Sequence, residues 1–178
     1  MKLLTFILLT FVYAMSLSAQ HHHNGDNTLS ASTVHSEHSL YHLDAQWTDH
    51  RNETYSLGDF SGEPVIVVMF YGNCTQVCPI LIKDAWRIYS SIDQSMRDSV
   101  NVLAVTFDTE NDTPEVLRNY AEYEQLNIPG WHFMISEQAN VRSLAMMLGV
   151  QYTKKSDGHF AHTNLVTILD KQGRIVKR

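Results

Sequence analysis

The chain has 178 residues, 44% of them hydrophobic and 18% charged, and a formal net charge of -6. This balance suits one globular domain with a sizeable core plus additional residues at one end. The acidic residues are scattered rather than blocked, so nothing in the charge pattern calls for a nucleic-acid partner.

Lys2 and an apolar run from Leu3 to Ala14 are followed by the small residues Ser16, Ser18 and Ala19. A basic start, a short apolar stretch and small residues predict a signal peptide over residues 1–19. The run is shorter than the ~20 residues of a spanning helix, so cleavage near Ser18 or Ala19 should release a soluble chain into the periplasm or an equivalent extracytoplasmic space. An uncleaved segment would be the only membrane attachment, and no cysteine stands near the cleavage site to carry a lipid. Residues 20–38 are polar and hold His21, His22, His23, His35 and His38, which reads as a flexible tether. Clustered imidazoles there could gather copper, nickel or zinc, or the tract could be a solvated linker. The folded domain, expected to be a monomer, should occupy residues 39–178.

Residues 40–57 have the pattern of a β-hairpin, with Trp47 and Tyr55 on either side of a polar Asp49-His50-Arg51-Asn52-Glu53 turn. Residues 65–71 are continuously β-branched or aromatic, as expected of a strand buried on both faces of a parallel sheet. Leu81, Ala85, Ile88, Ile92 and Met96 then form one helical stripe, flanked by Trp86 and Tyr89. A second buried strand is expected over 101–107. Thr113 and Pro114 are a good cap and first-turn pair for a helix reaching about Leu126. Residues 131–135 predict a third strand, and Ser136 should cap a helix carrying Val141, Leu144, Ala145 and Leu148, which Gly149 stops. Met146 and Met147 lie next to this stripe and are expected to pack. Two closing strands, 163–169 and 174–176, meet at Asp170-Lys171-Gln172-Gly173. Alternating strands and helices predict an α/β thioredoxin-like fold with an N-terminal β-hairpin and a mainly parallel central sheet, with no C-terminal helix after the last strand.

The only two cysteines, Cys74 and Cys78, fall where a core strand hands over to a helix, with Pro79 in that helix's first turn. A bridge closing so small a loop would constrain the unfolded chain little, so stability is a poor reason for the pair. Free N–H groups and the positive end of a helix dipole should favour thiolate, which both disulfide exchange and soft-metal ligation require. The C-x-x-x-C spacing suits a metal between the sulfurs at least as well as redox cycling. Two thiolates need a further ligand, and His162, in a loop before the penultimate strand, is the candidate; a hydrogen-bonded loop histidine is the plain alternative. Sulfur-rich ligation with one imidazole favours Cu(I), with zinc as the competitor. His159 reads as a surface loop residue. A thiol peroxidase would want a cation beside Cys74, and no Arg or Lys stands there.

Residues Val68 to Pro79, ending Cys74-Thr75-Gln76-Val77-Cys78-Pro79, resemble the strand-plus-CxxxCP signature of the Sco/SenC copper proteins. Val105-Thr106-Phe107-Asp108 with Asp112-Thr113-Pro114 is similar to a second motif of that family, and His162-Thr163 to a third. The resemblance implies a copper metallochaperone that binds Cu(I)/Cu(II) through Cys74, Cys78 and His162. Its client would be the copper-bearing subunit of cytochrome c oxidase, whose dicopper centre it would help assemble, or another copper or thiol protein. Asp108 would be a conformational or partner-contact residue. The alternative is a thiol–disulfide oxidoreductase with Cys74 and Cys78 as the redox-active dithiol. Ala161 stands where the family often has Asp, and the family's last helix is not present before Arg178, which would leave a sheet face uncovered.

Overall fold

A computed structural model describes residues 38–74 and 78–178. The signal-like segment, nearly all of the histidine tract and Thr75-Gln76-Val77 lie outside the described residues. A short 3-10 turn, Leu40–His42, opens the domain and is tied to its far end, because the Leu40 N–H donates to the Gly173 carbonyl at 2.9 Å. Strands β1 (Trp47–Asp49) and β2 (Thr54–Tyr55) form the hairpin, pairing Trp47 with Tyr55. The turn is polar as expected, yet Asp49 and His50 are both fully buried. Asp49 accepts from the N–H groups of Arg51 and Glu53 and from the Arg51 guanidinium at 2.7 Å. The turn therefore closes on a buried carboxylate.

The β-branched run forms β3 (Val65–Phe70), buried at every position, and leads through the cysteine loop to α1 (Cys78–Ser91). Leu81, Ile82, Ala85 and Tyr89 are the buried side of α1. The predicted stripe breaks before Met96, because Asp93 caps a separate short helix, α2 (Gln94–Arg97), and Met96 is exposed. Next come β4 (Asn101–Thr106), α3 (Pro114–Tyr123), β5 (Trp131–Ile135) and α4 (Gln138–Leu148). Thr113 caps α3 through its side chain with Pro114 in the first turn, and Gly149 ends α4 in the left-handed region at φ 76°. Ser136 does not cap α4; its hydroxyl donates to the Gln46 carbonyl instead, and Glu137 holds the cap position.

The chain closes with β6 (Tyr152–Lys154), β7 (Phe160–His162), β8 (Val166–Leu169) and β9 (Ile175–Lys177). The main sheet has the order β2-β1-β5-β4-β3-β8-β9, while β6 and β7 form a separate antiparallel pair. Parallel pairing is confined to the three central strands β3, β4 and β5; β1, β2, β8 and β9 all pair antiparallel, so the sheet is mixed. Successive residues face opposite sides of a strand, which puts Trp131 and Phe133 on one face. Trp131 meets Trp86 and Tyr89 of α1, and Phe133 meets Tyr120 of α3, so both helices cover that face. On β8, Thr167 and Leu169 are buried but Val166 and Ile168 only half so, and one side of this strand is thinly covered.

Candidate metal centre

The carboxyl ends of β3 and β4 deliver the chemistry to one edge, the usual location of sites in open α/β sheets. After Phe70 the chain turns through Tyr71, Gly72 and Asn73, and the Cys74 N–H donates to the Tyr71 carbonyl at 3.2 Å. Cys78 begins α1, and its N–H, one of the helix's unpaired donors, points at Cys74 Sγ at 3.3 Å. Both sulfurs are buried and not bonded to each other. Burial pushes the Cys78 thiol up, with the Tyr71 backbone N–H pulling it the other way. The expected depression toward thiolate is therefore absent at Cys78: desolvation outweighs the helix terminus.

His162 stands at the end of β7 rather than in a loop, paired with Tyr152 of β6. Its Nε2 lies 3.6 Å from Cys78 Sγ and its Nδ1 3.3 Å from the Thr163 carbonyl. A carbonyl can only accept, so Nδ1 carries the proton and Nε2 turns its lone pair to the sulfurs. One donor atom from each of Cys74, Cys78 and His162 falls within 4.8 Å of the others, a spread that can hold one metal ion. The structure thus brings the three predicted ligands together across the fold.

Asp108 is not part of this group. It is buried, its carboxylate accepts from Asn111 Nδ2 at 2.9 and 2.8 Å, and its N–H donates to Thr106 Oγ1. His159 is exposed beside the β6–β7 turn, with Nδ1 3.3 Å from the Tyr71 hydroxyl. Met146 and Met147 do not pack as expected: Met146 is 77% exposed and Met147 36%.

Three residues around the centre were not singled out by sequence. The Tyr71 hydroxyl hydrogen-bonds toward Cys74, and burial first, then this sulfur, pushes the phenol up to about 12. Phe107 packs against the His162 ring, with centroids 5.0 Å apart. Asp112 is buried behind Gly72, whose N–H donates to its Oδ2 at 2.9 Å. Each sits directly before or within a motif already noted, but only the fold turns these side chains inward.

The fold and the three donors define a thioredoxin-like α/β domain with a dithiol–imidazole group at the edge of its parallel strands. A family model described as SCO1/SenC matches residues 34–178, and the chain belongs to this family. The SCO1 protein homolog of Bacillus subtilis is 22% identical over 125 residues, 68% of this chain and 64% of the relative. The chain thus spans about 64% of the length of the curated relatives it matches. Among solved structures, copper-bound ScoI of Bradyrhizobium japonicum is 25% identical with a TM-score of 0.62, covering 75% of this chain and 85% of that one. BsSco, a Sco-family cytochrome c oxidase assembly protein in which a disulfide switch has been identified, is 19% identical with a TM-score of 0.61, covering 74% and 78%. These superpositions share the fold.

Proposed function

We propose that this chain is an exported copper chaperone in which Cys74, Cys78 and His162 hold one Cu(I) ion as cargo. The carrying observation is the chemistry of the donor set: two thiols and one imidazole within 4.8 Å. Soft sulfur donors in low number suit Cu(I), whereas a structural zinc ion takes four ligands. Binding replaces the two S–H bonds by metal–sulfur bonds with both protons released to solvent, and because burial pushes the Cys78 thiol up, the metal itself must displace that proton. Copper-bound ScoI supports this cargo, and BsSco supports cytochrome c oxidase as the client, its copper-bearing subunit receiving the ion. The signal-like pattern of residues 1–19 supports export, and Asp108, buried next to Phe107, would act on the site through the fold rather than by touching a client.

A second reading rests on the Cys78 N–H held against Cys74 Sγ at 3.3 Å, which keeps the sulfurs close. The pair would reduce a disulfide of the client: two S–H bonds break, one S–S bond forms, and two electrons and two protons pass to the client cysteines. Titrating Cu(I) against a competing chelator separates the readings. The chaperone reading expects one tightly held Cu(I) per chain, lost in Cys78→Ser and weakened in His162→Ala. Equal weak binding in all three proteins overturns it. Unchanged affinity in His162→Ala, with disulfide reduction intact, assigns the thiol reading.

A further inference from the structure

We propose that Asp112 is a positioning residue for the ion, acting as a hydrogen-bonding clamp on the loop that carries Cys74. This rests on the copper reading above for its functional consequence, but the clamp itself is a property of the metal-free fold.

Asp112 ends the loop that follows β4, just before the Thr113 cap of α3, and its N–H donates to the Asp108 carbonyl at 3.0 Å. This bond within the loop fixes its backbone. Its side chain turns under the cysteine loop, where Oδ2 accepts from the Gly72 N–H at 2.9 Å and from the Thr106 hydroxyl. One carboxyl oxygen thus joins the end of β4 to the loop two residues ahead of Cys74. The approach is as close as the chain allows: a Cβ built on Gly72 would lie 2.7 Å from Asp112 Oδ1 and 3.3 Å from Val116 Cγ1.

Oδ1 itself is buried and has no hydrogen-bond partner among the described residues. A carboxylate kept for its charge would be expected to find donors or a cation for both oxygens. Here only one oxygen is used, it forms no ion pair among the described residues, and burial pushes the carboxyl pKa up. The clamp is made by the two hydrogen bonds that Oδ2 accepts, so the carboxyl group's contribution is read as geometric rather than as charge. Asn can reproduce the used oxygen, with its amide nitrogen in the place of the idle one. Ala cannot.

The test compares Asp112→Asn and Asp112→Ala in two readouts: amide hydrogen exchange at Gly72 and Cys74 without metal, and Cu(I) affinity against a competing chelator. In Asp112→Ala, Gly72 exchange is expected to rise at least about tenfold and Cu(I) affinity to fall about 10- to 100-fold, the scale of losses when groups supporting a ligand are removed. In Asp112→Asn both should stay within about threefold of wild type. Unchanged exchange and affinity in Asp112→Ala overturn the proposal, and so does an equal loss in Asp112→Asn, which would make charge the essential property. If wild type binds no Cu(I), the copper reading fails while the exchange data still decide the clamp. Should Asp112→Ala not fold, Thr106→Val removes the hydroxyl anchoring Oδ2 and must speed Gly72 exchange in the same direction; no change there also overturns the proposal.

Discussion

The ring of Phe107 lies 5.0 Å from the imidazole of His162, and it also stacks on Tyr152 at 5.0 Å and meets Phe160 at 5.0 Å. Phe107 is fully buried and directly follows β4, so the central sheet reaches His162 through this ring rather than through backbone pairing. Phe107→Ala should cost about 3–5 kcal/mol of stability, the usual range for a buried aromatic. It should also free the β6–β7 hairpin and weaken Cu(I) binding. Phe107→Leu should cost less and lose less affinity. Urea denaturation combined with chelator competition measures both; a destabilised Phe107→Ala with wild-type affinity would mean that His162 is held by its own hairpin.

This hairpin is also where sequence reading was least informative. Tyr152-Thr153-Lys154 and Phe160-Ala161-His162 are three-residue strands, mostly half-exposed or exposed, and carry no apolar run to announce them. By contrast β3, β4 and β5 are legible because burial on both faces demands continuous apolar residues. The α3 start at Thr113-Pro114 and the stop at Gly149 are legible because their chemistry is local. Cys74 and Cys78 announce themselves by type and spacing, and His162 by its motif. Asp112 and Phe107 do not: their roles come from contacts made across loops that the chain joins only on folding. The hairpins at both ends were legible from their turns, but not that β1 lies beside β5 and β8 beside β3, since strand order is a property of packing.

Acid should weaken the fold through the hairpin turn. Burial lowers His50 and His132 below their ordinary value of 6.5, and Arg51 nearby adds to this for both. Burial acts against the Asp49 carboxylate beside them, yet the N–H groups of Arg51 and Glu53 hold it below the ordinary range. The unfolded chain takes up protons at both histidines as pH falls through 6.5, while the folded chain does not. Stability is therefore full above 6.5 and declines below it, by about 1.4 kcal/mol per pH unit for each histidine that only the unfolded state protonates. Denaturation midpoints at pH 7.5 and 5.5 measure the loss, and His50→Gln should flatten it. A pH-independent midpoint over that range contradicts the account.

Gly72 is required for space rather than for an unusual backbone angle, as its Cβ would collide with Asp112 Oδ1 and crowd Val116. Gly72→Ala should therefore push the loop off the carboxyl group and cost about 1–3 kcal/mol, as overpacking of a fitted interior does. The same shift moves Cys74 away from Cys78 and His162. Cu(I) affinity should fall with stability, and the double variant Gly72→Ala with Asp112→Ala, which removes the obstructing oxygen, should lose less stability than the two single changes added together.

Ala161 offers a sharper test of how His162 is oriented. Neighbouring residues on a strand face opposite sides, so on β7 a side chain at 161 points away from the face that turns the imidazole toward Cys78. Ala161 is exposed and pairs with Thr153 across the hairpin. A carboxylate introduced there would remain in water, where it interacts weakly with a half-buried ring. The Nδ1 proton is already taken by the Thr163 carbonyl at 3.3 Å, an acceptor that no side-chain change removes. Ala161→Asp should therefore leave Cu(I) affinity within about threefold of wild type and leave the absorption of the Cu(II)–sulfur bonds unchanged. A tenfold or greater gain in affinity would show that the backbone carbonyl orients His162 incompletely and that a side-chain acceptor completes the site.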